Sequence, residues 1–240
     1  MNIVAKTDVG QMRKVNQDRA AYAVNGDEWL AIVCDGMGGH RAGEVASTMA
    51  CDYLTSHIFD HGDFVNEESV KSWLHCLIEN TNQAIKRESI LNPDFEGMGT
   101  TIVLAYCIND EVHISHCGDS RAYAVEDNCI RQLTVDDTLV NALVENGYLS
   151  YEAAQYHPQR NVLVQAVGVT SPLKVSHMVT KEKHLLLCSD GLYNSLTDED
   201  IFKVINQDMT TVEKVDELIR LSNEAGGYDN TGIVLVEEEN

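Results

Sequence analysis

The 240-residue chain carries 38 Asp and Glu against 17 Lys and Arg, a formal net charge of −21, and is 44% hydrophobic with only 3 Pro, material for one large domain. So acidic a surface argues against a nucleic-acid binder, which needs basic groups for the phosphates, and no apolar run approaches the roughly 20 residues of a membrane span. Seven cysteines without a CxxC pair, most of them inside apolar runs, point to buried reduced thiols in a cytoplasmic protein rather than a disulfide framework or zinc site, and MNIVAKTDVG is no secretion signal.

Strand patterns open the chain: NIVAKTD, DRAAYAV and EWLAIVCD. After the glycines of DGMGG, two long helices are expected between Gly43 and Leu91. Val45, Met49 and Tyr53 form a row at four-residue spacing in the first; Val70, Trp73, Leu74, Leu77, Ile78, Thr81 and Ile85 form a broad apolar stripe in the second. TTIVLAYCI, EVHISHCGD, RAYAVE and CIRQLT follow as strands separated by two to five residues, which suits hairpins and antiparallel pairing. From about 136 to 172 the strand signal fades into two short helical pieces and an HPQRN turn, a segment long enough to be functional or mobile. LKVSHMV, KHLLLCSD, an amphipathic helix over Val212–Leu221 and TGIVLVEE close the chain. Helices with one apolar stripe must pack on something, and antiparallel sheets offer the faces. The fold class expected is α+β, a four-layer α-β-β-α sandwich.

Four aspartates stand at strand edges beside glycine or in a turn: Asp35 in CDG, Asp119 in GDS, Asp190 in SDG and Asp229 in YDN. Each taken alone reads well as a turn residue. Taken together they suggest one rim of carboxylates, since a buried strand end bears an unpaired charge badly unless a cation compensates it. Oxygen-only donors suit hard divalent ions such as Mg²⁺ or Mn²⁺. Upstream, Arg13 stands in the polar block RKVNQD, and its guanidinium can fork to two phosphate oxygens.

RxxNQD from Arg13, DGMGGHxxGExAS from Asp35, GTT at Gly99–Thr101, GDSR at Gly118–Arg121, SDGL around Asp190 and DN at Asp229 occur in this order. The set resembles the metal-dependent protein phosphatase family (protein phosphatase 2C), in its bacterial single-domain serine/threonine branch, from Thr7 to Val236. The resemblance implies two antiparallel sheets flanked by helix pairs and a binuclear Mn²⁺ or Mg²⁺ centre whose activated water hydrolyses phosphoserine and phosphothreonine on protein substrates. By motif position Asp35 would bridge the two ions and the Gly36 carbonyl would bind one, Asp190 and Asp229 would complete the other, and Asp119 with Asp190 would form a third, weaker site. Arg13 would grip the substrate phosphate and Asp18 would order the attacking water; Asn230 would shape its loop. A cognate serine/threonine kinase as functional opponent, a monomeric state and a cytoplasmic setting complete the expectation.

The chain departs from the family pattern at three places. Met37 stands where eukaryotic relatives carry a histidine after Asp-Gly, and the nearby His40 reads as a loop-ordering residue rather than a general acid. Asp137 replaces a histidine and Gln165 an arginine, both outside the implied metal shell. His157 is a weak candidate for substrate contact. Cysteine-phosphatase chemistry fails on spacing, because Cys34–Arg41 is one position too long and Cys117–Arg121 two too short. A non-catalytic member would be marked by loss of Asp35, Asp190, Asp229 or Arg13, and a nuclease would want a basic groove.

Overall fold

A computed structural model describes residues 1–39 and 42–238; His40 and Arg41, and with them the loop-ordering reading of His40, lie outside the described residues. The first sheet is formed by β1 (Asn2–Asp8), β11 (Thr231–Glu237), β10 (Leu185–Cys188), β7 (Arg121–Val125) and β8 (Ile130–Gln132), in that order. The second runs β2 (Asp18–Asn25), β3 (Glu28–Met37), β5 (Ile102–Ile108), β6 (Glu111–Cys117), β9 (Ser176–Thr180), with the two-residue β4 (Gly99–Thr100) paired to the end of β3. The named pairings are antiparallel. The two-residue loop Asn109–Asp110 between β5 and β6 has positive φ at both positions, the hairpin geometry that matches strand twist.

Strand alternation builds three apolar layers. Along β3, Trp29, Ala31 and Val33 face the first sheet, while Leu30, Ile32 and Cys34 face α1 (Ala42–His57) and α2 (Glu67–Leu91). Along β11, Val234 and Val236 face the second sheet, while Ile233 and Leu235 pack with α6 (Asp198–Ile205) and α7 (Thr211–Glu224). Burial of both faces is why these strands read as continuous apolar runs rather than alternating ones. The four-layer sandwich expected from the sequence is the fold observed.

The segment between β8 and β9 carries α3 (Leu139–Glu145) and α4 (Tyr151–Gln155), the two short helical pieces expected there, and is tied down by isolated bridges from Thr138 to Leu163 and from Thr100 to Val167. Unforeseen were α5 (Asp190–Tyr193), a single turn, and α6. Among the described residues no helix is long and apolar enough to cross a membrane.

Candidate active site

The strand parity that places Val33 between the sheets places Asp35 there too, two residues on, where β3 runs out of apolar side chains. Its main chain is held rigidly. The Asp35 N–H donates to Thr101 Oγ1 (3.0 Å), and its carbonyl accepts from the Thr101 N–H (2.8 Å) and Thr100 Oγ1 (2.9 Å). The GTT motif is thus the seat of Asp35, fixing the backbone so that the carboxylate is aimed without a search. Asp18 is its cross-strand partner in the β2–β3 register, and the two carboxyls are near enough to raise each other's charge cost.

The opposite sheet reaches the same point through Ser189. Its hydroxyl donates to Asp18 Oδ2 (2.6 Å) and accepts from the Gly232 N–H (2.8 Å), so one side chain spans both sheets at the rim. The next residue, Asp190, opens α5. A Cβ on Gly191 would overlap the Asn230 carbonyl oxygen, so only glycine lets the Asp190 and Asp229 loops come this close. The same logic holds beside Asp35, where a Cβ on Gly36 would overlap the Gly43 carbonyl at the start of α1.

Arg13 arrives on a loop clamped by Asn230, whose Oδ1 accepts from the Gln17 N–H (2.8 Å) and whose Nδ2 donates to the carbonyls of Val9 (2.8 Å) and Val15 (3.1 Å). Asn230 therefore shapes the loop, as read from the sequence. The exposed Arg13 guanidinium donates to Asp229 Oδ2 at 2.8 Å. Asp119, 7% exposed, lies between β6 and β7 and feels Asp190 and Asp35 electrostatically.

Charge is the distinctive property of this rim. Burial, and after it the facing carboxylates, pushes the Asp35 carboxyl well above the usual carboxylate range. Asp119 is pushed up to about 7 by burial and then Asp190. Asp18 and Asp190 are raised as well, burial again first; hydrogen bonding from Ser189 opposes the rise for Asp18, and Arg13 opposes it for Asp190. Among the described residues no three ligating side chains stand at coordination distance of one point. A hard divalent cation fits the donor set: oxygen ligands only, several half-buried, and a surplus negative charge that desolvation makes costly.

Two residues singled out as departures have visible roles. Asp137 accepts from the Gly118 N–H through Oδ2 (3.0 Å) and donates its own N–H to the Gly118 carbonyl (3.0 Å), which pins the loop presenting Asp119. The sequence placed Asp137 outside the metal shell and gave no sign of this support. Gln165 accepts from the Lys174 N–H at 3.1 Å and serves to order the end of its own segment. His157 accepts from the Gln159 N–H within the HPQR turn (3.1 Å). Ser189 and Thr101 were missed as individual supports; both sit inside the quoted motifs, and only the fold reveals what they hold.

Comparison with known proteins agrees with this fold. The family model described as Protein phosphatase 2C matches residues 11–224. The chain is 37% identical over 243 residues to the serine/threonine phosphatase stp of Listeria monocytogenes serotype 4b (strain F2365), covering 100% of this chain and 96% of that one. The solved serine/threonine phosphatase of S. agalactiae superposes with a TM-score of 0.91 at 38% identity and 99% coverage of both chains. The catalytic domain of the serine/threonine protein phosphatase PstP, solved in complex with 2 manganese ions, superposes with a TM-score of 0.82 at 30% identity, covering 98% of this chain and 97% of that one. A sandwich that gathers acids and one arginine at the ends of its strands is the scaffold of a phosphoester hydrolase. The chain belongs to the protein phosphatase 2C family and is a serine/threonine phosphatase of its bacterial branch.

Proposed function

We propose that the chain hydrolyses phosphoserine and phosphothreonine on proteins at a centre of two divalent cations, Mn²⁺ or Mg²⁺, held by Asp35, the Gly36 carbonyl, Asp190 and Asp229, with a third, weaker site at Asp119 and Asp190. The observation that carries this reading is the convergence of Asp18, Asp35, Asp119, Asp190 and Asp229 on one end of the sandwich, each from a different loop or strand end. A phosphate monoester dianion would be repelled by such a rim. Bound cations would reverse that field, polarise the phosphoryl oxygens and supply an activated water at neutral pH.

The chain's own groups do the rest. Arg13, exposed at the edge and singly bonded to Asp229, is free to fork a second pair of N–H groups toward phosphate oxygens and to favour the charge they carry in the transition state. Asp18, locked by Ser189 and facing Asp35, is placed to accept a proton from the attacking water. The backbone bonds from Thr100 and Thr101 keep Asp35 from swinging away. The biological counterpart of such an activity is a serine/threonine kinase that installs the phosphate. A cytoplasmic setting suits seven free cysteines, five of them buried.

Turnover of para-nitrophenyl phosphate and of a phosphothreonine peptide, with Mn²⁺ and after chelation, tests the proposal. Activity that requires the divalent ion is the expected result; undiminished activity after exhaustive chelation overturns it.

A further inference from the structure

Three histidines from three elements converge where α2 covers the second sheet, and none of them belongs to the acidic rim. His75 stands on α2, His113 on β6 and His177 on the edge strand β9. Strand register brings the last two together: His177 lies opposite Ser115, and His113, two residues back along β6, is its diagonal neighbour on the same face. Their ring centroids are 5.5 Å apart, and the His75 ring meets that of His177 nearly at right angles, 6.2 Å between centroids.

The nitrogens decide what such a cluster can hold. His113 Nδ1 and His177 Nε2 face each other at 3.5 Å. That is long for an N–H donor, which prefers its acceptor at about 2.9–3.0 Å. It is close to the edge of a tetrahedron around an ion that imidazole nitrogens bind at roughly 2.0–2.1 Å, an edge of about 3.4 Å. On its other side His177 Nδ1 meets Ser115 Oγ at 2.9 Å, and a proton held there leaves the Nε2 lone pair toward His113. His75 Nε2 is buried and has no hydrogen-bond partner among the described residues. The three nitrogens do not yet share one point, and a turn of the half-buried His75 side chain is the movement that remains. Burial pushes all three imidazoles below their usual range, His177 to about 4, so at neutral pH they are uncharged bases, the form that ligates. Glu68 and Lys71, on the same face of α2, pair with each other and add no net charge.

We propose that His75, His113 and His177 form a second kind of metal site, which takes Zn²⁺ with water in the fourth position. Imidazole nitrogens suit late first-row ions, whereas the oxygen-only rim suits Mn²⁺ and Mg²⁺, so the two sites sort different ions. His75 and His177 are partly exposed and β9 is an edge strand, so the ion enters from solvent. Bound there it cross-links α2, β6 and β9, and it stabilises the fold without touching the rim.

The test titrates the intact protein, stripped by chelator and supplied with excess Mn²⁺, with Co²⁺ as the optical stand-in for Zn²⁺. Tetrahedral Co²⁺ with nitrogen ligands absorbs strongly in the visible, and octahedral Co²⁺ on oxygen ligands does not. One equivalent is expected to bring up the tetrahedral bands despite the Mn²⁺, and Zn²⁺ to displace it. His75→Gln and His177→Gln should each weaken binding by more than about 100-fold, and Ser115→Ala by about tenfold or more. His75→Gln, on a half-exposed helix position, should keep the wild-type circular dichroism and para-nitrophenyl phosphate turnover with Mn²⁺, which separates loss of the site from loss of the fold. Cys76→Ser, which removes the exposed thiol beside His75, should leave the bands in place. Wild-type protein without tetrahedral bands, bands that survive in either histidine variant, or bands lost in Cys76→Ser overturn the site.

Discussion

Replacing Arg13 by Ala separates two roles that the structure keeps apart. As a structural element the side chain makes one ion pair, 2.8 Å to Asp229, with 52% and 36% of the two side chains exposed. A pair that open to solvent is worth about 0–1 kcal/mol, and a domain of this size shifts its melting temperature by about 2–4 °C per kcal/mol. The chelated variant should therefore melt within about 4 °C of wild type. As a phosphate ligand, by contrast, a charged hydrogen-bonding group is worth about 1.5–3 kcal/mol, which is about a 10- to 150-fold loss in kcat/KM for para-nitrophenyl phosphate with Mn²⁺. Because Asp229 keeps its carboxylate, the rise in melting temperature on adding Mn²⁺ should persist. Steady-state kinetics and differential scanning fluorimetry on the same preparations give both numbers. A kcat/KM within threefold of wild type refutes the assignment of Arg13 to phosphate; loss of the Mn²⁺-dependent rise refutes the separation of its role from that of the metal ligands.

Asp35→Asn should abolish both turnover and the stabilisation by Mn²⁺, which for wild type at 100 times the dissociation constant is about 2.7 kcal/mol, or about 5–10 °C; an unchanged Mn²⁺ shift in the variant would contradict its proposed role as a metal ligand. Gly191→Ala, whose Cβ would overlap the Asn230 carbonyl, should lose about 3 kcal/mol in denaturant unfolding, whereas Gly62→Ala, with nothing within 4 Å, should change stability by well under 1 kcal/mol. His177 faces Ser115 Oγ (2.9 Å), His113 Nδ1 (3.5 Å) and the His75 ring, with Lys71 and Glu68 beyond, and burial, then these neighbouring imidazoles, pushes its pKa down to about 4. The unfolded chain then binds a proton near pH 6.5 that the folded chain refuses until about pH 4, so this group's contribution to stability falls as pH drops through that window. Melting curves of wild type and His177→Gln in chelator should diverge on acidification, with wild type losing more; parallel curves would show that His177 titrates normally in the fold.

The two long helices, the hairpins and the last strand are legible because their periodicity is local. An apolar row every fourth residue, as in Val45, Met49 and Tyr53, specifies a helix face wherever that face ends up. The single turn Asp190–Tyr193 escaped notice because four residues carry no periodicity, and α6 because its apolar positions, Ile201, Val204 and Ile205, span barely one turn and a half. Among site residues the aspartates betrayed themselves by ending apolar strands. Asp137 did not, since nothing in a sequence says that one carboxylate will pin Gly118.

What the linear order of residues determined by itself was the sandwich and the chemical character of its rim, because strand parity commits Asp35 to the same face as Val33 and acids at strand ends demand a counter-charge. Only the tertiary structure decided how those acids meet: Ser189 reaching Asp18 across 171 residues, Asn230 clamping the Arg13 loop, and glycines letting carbonyls approach where any side chain would collide. Such contacts join groups distant along the chain, and their geometry is fixed by packing, which no local pattern encodes.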